Sequence, residues 1–406
     1  MYQGKQNELN NEMKLWNKKY ISLIITQIIT SFSFYMVVTI LVSYLTENRG
    51  LTAAVAGVIA GLFSITSLVC RPICGLLTDR YNKILLIKIS AVMMFVGLMG
   101  YGIFRTTILI IIARILHGIG FAISSTAMVS AATECIPEDK MGEGIGYYGL
   151  AMVIASAAGP GLGVELAEWC GEMATFIAAA GLCALELAIL FRVEDGGKKE
   201  AMPSEKMQIE DIIAVKAIGY SLLGSIFSLG NGVIASYLMS YSKEIGLHNV
   251  SLYFTLNAVA LFIIRPFAGK LLDRKGLFIV AFPSFVIAAI SMFMLGNAYR
   301  MQWVAYGIIM FSAILRAIGQ GAGQPSLQTA SIQAVGREKS GTATSTFYLG
   351  GDIGQGLGPM IAGAVIGRVA GVSGYRIIFD MCGVLLLIGA IVLLISHFVN
   401  NRSQAY

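Results

Sequence analysis

The feature that most constrains this chain is a series of long apolar stretches, each close to the length of a membrane-spanning helix. A bilayer core about 30 Å thick needs roughly 20 apolar residues per helix. The first stretch, Tyr20–Leu45, contains no charged residue and exceeds the apolar region of about 7–15 residues in a cleaved signal peptide, so we expect a retained helix. Twelve stretches of this kind predict an all-α membrane protein with twelve transmembrane helices, near residues 20–45, 53–77, 84–104, 107–133, 143–167, 174–192, 216–242, 250–272, 277–298, 301–330, 341–367 and 375–398.

Composition supports an integral membrane protein and argues against several other classes of protein. Charged residues make up 13% of the chain and hydrophobic residues 56%, whereas soluble chains carry about 25% charged residues. Six cysteines in 406 residues are too few for a disulfide scaffold. The net charge of +6 comes without a basic cluster interleaved with aromatics, so we expect no nucleic-acid partner. We also expect no metal site and no cofactor, because no metal cluster, nucleotide loop or catalytic triad is recognisable.

One long polar connection divides the chain into halves. It spans residues 193–215 and is charged and punctuated by proline and glycine. The predicted organisation is an N-terminal tail at 1–19, a six-helix bundle at 20–192, this linker, a second six-helix bundle at 216–398 and a C-terminal tail at 399–406.

Charge distribution predicts the orientation. The side that holds both tails and the linker collects nineteen Lys and Arg residues, the other side has six, and four arginines fall within spans. Because positive charge is retained in the cytoplasm, both termini are predicted to be cytoplasmic in a multi-pass protein of the inner or plasma membrane.

An internal repeat relates the two halves. Arg71–Arg80 and Arg265–Arg274 both read RPxxGxLxDR at an offset of 194. At an offset of 199, Ile115–Gly120 matches Ile314–Gly319, and Gly159-Pro160 matches Gly358-Pro359. Two pseudo-symmetric six-helix bundles in parallel repeat are a known plan of secondary transporters, with the substrate site between the repeats.

The repeated loop resembles the major facilitator superfamily, whose pattern there is Gly-x-x-x-Asp-Arg-x-Gly-(Arg/Lys). The first copy has Asn82 at the second glycine position, where we expect a left-handed residue, since asparagine tolerates that conformation best after glycine.

An aspartate at a cytoplasmic helix end favours the N-terminus of another helix, and spans 5 and 11 both begin in the cytoplasm. The resemblance implies a conformational latch, in which Asp79 holds span 11 when the cytoplasmic side is shut; a solvated turn is the alternative. The latch set is Gly75, Asp79, Arg80, Gly269, Asp273 and Arg274.

Two further motifs resemble this superfamily, and the second is similar to the signature of its drug:proton antiporter branch. Arg114-x-x-x-Gly118-x-Gly120 is similar to a span-4 motif that the family associates with proton coupling, although Arg114 near the outer interface would reach the lipid headgroups. Glycine and proline recur in spans 5 and 11, where a simple packing seam is the alternative. This signature comprises Gly159, Pro160, Gly163, Gly358 and Pro359.

Polar stripes inside the spans predict the transport site. Side chains four residues apart share one helix face, and such stripes would be costly toward lipid. Asp352 is the predicted protonatable group, with Arg114 and Arg316 as charge partners for proton coupling; an Arg316–Asp352 pair could instead be a closed structural salt bridge. The predicted substrate contacts are Gln27, Ser31, Asn231, Arg316, Gln320, Gln324, Tyr348 and Gln355.

These features predict a monomeric secondary transporter, not an enzyme. We expect proton-coupled export of a small organic molecule by alternating access, with the lipid bilayer and protons as its other partners. The alternative is a proton-coupled uptake symporter for a small metabolite or sugar, since only the Gly-Pro signature favours export. An intramembrane aspartyl protease is disfavoured because Asp352 has no second mid-membrane aspartate as a partner. Span 1 carries no acid, which leaves room for neutral, zwitterionic or anionic cargo.

Overall fold

A computed structural model describes residues 14–193, 211–247, 249–301, 303–369 and 371–403. Most of the predicted tail at 1–19, most of the linker at 193–215 and the last three residues of the predicted tail at 399–406 lie outside these ranges.

The described residues form twelve long helices and contain no β-strand. A short π-helix, Tyr44–Asn48, extends the first helix. The prediction of an all-α protein with twelve helices is therefore confirmed. The helices are α1 Lys18–Ser43, α2 Ala53–Arg80, α3 Lys83–Ile103, α4 Thr107–Cys135, α5 Met141–Cys170, α6 Glu172–Leu190, α7 Val215–Glu244, α8 Leu252–Lys275, α9 Leu277–Asn297, α10 Ala305–Val335, α11 Ser340–Arg368 and α12 Val372–Ser403.

Eleven of the twelve helices are long and apolar enough to cross a membrane. The exception is α11, which is rich in glycine, serine and threonine. Its small residues pack on α7: a Cβ at Gly354 would lie 3.1 Å from the backbone nitrogen of Leu229, and one at Gly358 would lie 3.4 Å from the Leu229 Cα. Close approach to a neighbouring helix explains why α11 needs fewer large apolar side chains.

Side-chain caps define where several helices begin. Asn17 accepts a hydrogen bond from the Tyr20 backbone nitrogen at 2.8 Å at the start of α1, and Asn82 accepts one from Leu85 at 3.0 Å at the start of α3. Asn82 has φ −62°, so the expectation of a left-handed residue there is wrong. Its repeat equivalent, Gly276, does have φ +79°. Asparagine ends the first loop as an N-cap, whereas glycine makes the same turn with a left-handed backbone.

The chain divides into two compact units. Unit 1 contains Met1–Glu138, Tyr148–Val215 and Val335–Thr346, and unit 2 contains Asp139–Tyr147, Lys216–Ala334 and Phe347–Tyr406. The first turns of α5 thus belong to unit 2, and those of α11 to unit 1. The predicted bundle boundaries at 192 and 216 stay a prediction.

Each unit has its own apolar core. In unit 1, α1, α3, α4 and α6 contribute Leu41, Leu98, Tyr101, Ala113 and Phe176. In unit 2, α7, α9 and α12 contribute Phe227, Phe285, Met292, Phe379 and Leu386. Burial of such side chains contributes roughly 1.5–3 kcal/mol each in water. Many apolar side chains elsewhere are exposed, among them Val69, Ile73, Phe267 and Met360, as a membrane protein requires.

Cysteine labelling tests the orientation. Thr106, just before α4, and Asp139, just after it, are both exposed. In a background without the six native cysteines, we expect Thr106→Cys to react with an impermeant maleimide in intact cells. Asp139→Cys should react only after permeabilisation, because positive loops remain in the cytoplasm. The reverse pattern would overturn the orientation.

Candidate functional site

In the repeated motif, Asp79 lies at the end of α2 and accepts three hydrogen bonds. Its Oδ1 accepts a hydrogen bond from the Gly341 backbone nitrogen at 2.7 Å. Its Oδ2 accepts from the Thr342 backbone nitrogen at 2.8 Å and from Thr342 Oγ1 at 2.6 Å. The first N–H groups of a helix have no intrahelical acceptor, and the helix dipole favours an anion there. Asp79 thus clamps the N-terminus of α11, within unit 1.

Asp273 makes the equivalent contact in unit 2. Its Oδ1 accepts from the Gly142 backbone nitrogen at 2.6 Å, and its Oδ2 accepts from that of Glu143 at 2.8 Å. Asp273 therefore clamps the N-terminus of α5. We call these two contacts the Asp79 clamp and the Asp273 clamp. They are the geometry that a latch requires; the latching role stays a prediction.

Glycines permit both clamps to close. A Cβ on Gly341 would lie 2.7 Å from the Thr78 Cβ and 2.8 Å from the carbonyl oxygen of Gly75. A Cβ on Gly142 would lie 2.7 Å from the carbonyl oxygen of Gly269. Since contacts this short do not occur between real side chains and backbone, glycine is required for the helices to approach. The glycines of the repeated motif and those of the clamped helices therefore form one steric unit.

Ion pairs accompany the clamps. Asp211 lies 2.9 Å from Lys339 Nζ and 3.6 Å from an Arg80 guanidinium nitrogen. In unit 2, Lys270 Nζ lies 3.3 Å from Glu143. Arg274, predicted to join the latch, is exposed. Sequence reasoning missed Asp211 and Thr342, although an acid just before α7 is a charge complement to Arg80 that could have been noticed.

The Gly-Pro signature forms matched seams in the two units. In unit 1, a Cβ on Gly159 would lie 2.8 Å from the Tyr35 Cβ, and one on Gly163 would lie 2.8 Å from the Met36 Cα. In unit 2, the Pro359 carbonyl accepts a hydrogen bond from Tyr237 Oη at 3.2 Å. The structure therefore places α5 against α1 and α11 against α7 at corresponding positions. Pro160 lies in the same turn of α5 as Gly159.

Arg114 lies inside unit 1 and not at a lipid interface, since its side chain is 3% exposed. Its guanidinium donates to the Ala60 carbonyl at 2.9 Å and to Tyr101 Oη at 3.4 Å, and stands 4.8 Å from the centre of the Phe63 ring. The Tyr101 hydroxyl also lies 2.9 Å from His117 Nδ1. A backbone carbonyl and aromatic faces thus stabilise this buried charge.

Arg316 is even more buried, with 1% exposure, and lies inside unit 2. Its Nη2 donates to the Phe227 carbonyl at 2.6 Å, beside Gly230, where a Cβ would lie 3.0 Å from the same nitrogen. Asp352 is half-buried on α11, twelve residues after Ser340. Among the described residues, Arg316 forms no ion pair, so the proposed Arg316–Asp352 salt bridge is not made in this structure.

Three glutamines at four-residue spacing on α10 make two sets of hydrogen bonds in unit 2. Gln320 donates to Gln324 at 3.2 Å, and Gln324 donates to Ser228 on α7 at 3.2 Å. Gln328 donates to Tyr348 on α11 at 3.1 Å. The structure therefore joins α10 to α7 and α11 through amides and hydroxyls, while Gln355 is exposed and Asn231 is half-buried.

A second polar group lies on α1. Gln27 donates to Ser31 at 3.1 Å and accepts a hydrogen bond from Tyr148 Oη at 2.6 Å. Tyr148, on α5, was missed from the sequence. Its signal was a tyrosine pair between Gly146 and Gly149 in an inner helix, where an amide on a neighbouring helix can accept a hydrogen bond from a tyrosine hydroxyl.

A polytopic all-α protein with one motif duplicated at two helix clamps has the architecture of a secondary transporter with internal repeats. The sequence profile of the Major Facilitator Superfamily matches residues 23–359. The chain therefore belongs to the Major Facilitator Superfamily. It is a multi-pass membrane transporter with a small-molecule substrate, not an enzyme.

Relatives include export proteins. The staphylopine export protein of Staphylococcus aureus is 22% identical over 383 residues, which cover 91% of this chain and 93% of that protein. The multi-drug resistance efflux pump PmrA homolog of Lactococcus lactis is 26% identical over 356 residues, covering 83% and 85% respectively. A solved structure of a bacterial homologue of the iron transporter ferroportin, in an outward-facing state, shares the fold with a TM-score of 0.78 at 14% identity, covering 93% of this chain and 98% of that chain.

Hydrogen exchange tests the clamps without a substrate. Asp79→Asn removes the charge and replaces one accepting oxygen by an amide donor, so the Gly341 and Thr342 amides should exchange faster at the start of α11, with the start of α5 unchanged. Asp273→Asn should do the reverse. The charge at a helix N-terminus stabilises by about 0.3–1 kcal/mol, and up to ~2 when partly buried, so exchange should accelerate by up to about 30-fold.

The control is Glu168→Gln, which removes an exposed carboxylate near the C-terminal end of α5. It should leave exchange at both helix starts unchanged. Equal exchange in wild type and Asp79→Asn would show that the contact does not stabilise α11.

Gly341→Ala tests the steric half of the Asp79 clamp. Its Cβ would meet Thr78 and the Gly75 carbonyl, so α11 must move away from α2 and the melting temperature in detergent should fall. Gly356→Ala is the matched control on the same helix, because a Cβ there has nothing within 4 Å. It should be neutral or slightly stabilising, since alanine is the better helix former. Equal melting temperatures for the two variants would contradict the packing argument.

Proposed function

We propose that this protein is a proton-coupled exporter of a small organic molecule that works by alternating access. The observation that carries the proposal is the pair of equivalent clamps, in which Asp79 and Asp273 hold the N-termini of α11 and α5. Contacts made by one carboxylate and a few N–H groups are strong enough to favour a conformation and weak enough to break. A term of ~1–2 kcal/mol shifts a balanced two-state equilibrium about fivefold to thirtyfold.

In this proposal the two clamps are latches of one conformation. Opening of the cytoplasmic side would break the bonds from Asp79 to Gly341 and Thr342 and those from Asp273 to Gly142 and Glu143. Asp79→Asn and Asp273→Asn would therefore lower the transport rate severalfold while leaving insertion intact. The Gly-Pro seams at Gly159 and Gly358 would guide α5 and α11 during that movement.

Two observations favour export over uptake. The glycine–proline signature of α5 occurs in the Gly159–Gly163 segment, and the names of two relatives specify export or efflux. The rival function is proton-coupled uptake of a small metabolite or sugar. The polar chain of Gln320, Gln324 and Ser228 would serve a hydrated cargo in either direction.

The glutamine chain and the α1 group are the proposed substrate contacts. They comprise Gln27, Ser31, Asn231, Arg316, Gln320, Gln324, Tyr348 and Gln355. Arg316 lies in the core of unit 2, where it holds α7 through its hydrogen bond to the Phe227 carbonyl. It would contact the substrate only after α7 rearranges near Gly230. The protein would act as a monomer in the cell membrane with both termini in the cytoplasm.

A proteoliposome flux assay decides between the two directions. Purified protein is reconstituted, a pH gradient of either sign is imposed, and a panel of cationic, anionic, zwitterionic and neutral compounds is followed. Export coupled to protons predicts that a panel compound moves opposite to the proton flow. Movement with the protons would establish the symporter, and flux independent of the gradient would exclude coupling.

Asp352→Asn tests the proposed coupling residue. Asp352 is a half-buried carboxylate near the middle of α11, twelve residues or about 18 Å from Ser340. The variant should lose accumulation driven by a pH gradient but retain exchange of the same compound, because an amide cannot carry the proton. Glu168→Gln should behave as wild type. Unchanged accumulation in Asp352→Asn would place the coupling group elsewhere.

A further inference from the structure

A second carboxyl group is enclosed inside unit 1. Glu186, on α6, is 0% exposed, and its Oε2 lies 2.8 Å from Thr30 Oγ1 on α1. Its Oε1 has no hydrogen-bond partner among the described residues. Thr30 is twelve residues after Lys18, about 18 Å along α1, so the contact lies deep in the helix bundle. An acid at this depth is not a surface residue whose side chain reaches water.

No cation faces Glu186 in the part of the chain that the structure describes. On its own helix the neighbouring titratable group is the Cys183 thiol, which contacts Ser33 of α1 at 3.4 Å. The lysines of α3 are engaged elsewhere: Lys83 with Glu134, and Lys88 over the Phe191 ring at 5.1 Å.

The other helix beside α6 offers no cation either. On α5, the titratable Tyr148 donates its hydroxyl to Gln27, and the Thr175 hydroxyl of α6 donates to the Gly163 carbonyl of α5. Burial of an ionised carboxylate without a partner is far more costly than burial of the neutral acid. The surroundings of Glu186 therefore favour the protonated form.

The hydrogen bonds of Thr30 also favour the protonated form of Glu186. Thr30 Oγ1 lies 2.8 Å from Glu186 Oε2 and 3.0 Å from the carbonyl oxygen of Thr26, two atoms that would both be acceptors if the acid were ionised. A hydroxyl has one proton to donate but can also accept. If Glu186 carries a proton on Oε2, it donates to Thr30, and Thr30 donates to the Thr26 carbonyl. The protonated acid gives each contact its own proton, whereas an ionised acid would have to share the single Thr30 proton with the Thr26 carbonyl.

We propose that Glu186 is a proton-binding site of the transport cycle. In this conformation its carboxyl group carries a proton and donates it in a hydrogen bond to the Thr30 hydroxyl of α1. The inference rests on the proposed proton-coupled function and adds a site in unit 1 to Asp352 in unit 2. Separation of α1 from α6 would admit water, which accepts the proton and solvates the carboxylate; their return would require a proton to be rebound. Ser31, next to Thr30 in the chain, belongs to the Gln27–Tyr148 group, so the site adjoins proposed substrate contacts.

Infrared spectroscopy of the purified full-length protein tests the loaded state without any substrate. At neutral pH the wild type should show a protonated-carboxyl C=O band that Glu186→Gln removes. Thr30→Val, which keeps the side-chain shape and removes the hydroxyl, should shift that band. Glu168→Gln, at an exposed position on α5, should leave it unchanged. A spectrum unaltered by Glu186→Gln would overturn the proposal.

A transport assay distinguishes whether Glu186 carries a proton in the cycle or has only a structural role. With the panel compound that gives gradient-driven flux in wild type, Glu186→Gln should keep exchange but lower accumulation at least tenfold, and Glu168→Gln should match wild type. Wild-type accumulation by Glu186→Gln would overturn the carrier role even if the infrared band is present. If Glu186→Gln does not fold, Thr30→Val provides the same comparison of exchange with accumulation. Absence of gradient-driven flux for every compound in wild type would refute the proposed function, while the infrared result would still report whether Glu186 is protonated.

Discussion

The contact between a carboxylate and the N-terminus of a neighbouring helix is the interaction on which the rest of this structure depends. Asp79 and Asp273 each satisfy two backbone N–H groups that have no acceptor in their own helix. The bonds are charge-assisted, and the aligned peptide dipoles add to them. The first turns of α11 and α5 lie in the same unit as the aspartate that binds them.

Inside the helices, many polar side chains donate hydrogen bonds to nearby backbone carbonyls. Serine and threonine hydroxyls return to carbonyls of the preceding turn, as Thr26 does to Ser22 at 2.8 Å and Ser284 to Val280 at 2.6 Å. The two buried arginines use the same kind of acceptor on neighbouring helices, the carbonyls of Ala60 and Phe227. An unpaired polar atom costs about 1–3 kcal/mol when buried, so these carbonyls offset the cost of burying the hydroxyls and guanidinium groups that donate to them. Some buried polar atoms have no hydrogen-bond partner among the described residues, and Oε1 of Glu186 is one of them.

Asp79 and Asp273 could be identified from the sequence because their pattern occurs twice, at helix ends that hydropathy had already located. The sequence did not reveal in the same way whether the side chains of Arg316 and Asp352 form an ion pair. A four-residue period places Arg316 near Gln320 but does not tell which neighbouring helix its side chain meets. In the structure it turns to α7, where Gly230 leaves room for the guanidinium, and not to α11. Glu186 was visible as an acid in an apolar span, but its partner Thr30 is 156 residues away in the chain.

The sequence by itself determined the twelve helices, their division into repeated halves and the positions of the two aspartates, because apolar length, charge and repetition are local properties of the chain. Only the tertiary structure decided that Asn82 caps α3 where Gly276 turns left-handed, that Arg114 and Arg316 lie in the bundle cores, and that Thr342, Asp211 and Tyr148 complete the polar contacts. These outcomes depend on which helices approach closely and on which small residues allow it. Such distances are set between segments far apart in sequence, and no period within one helix encodes them.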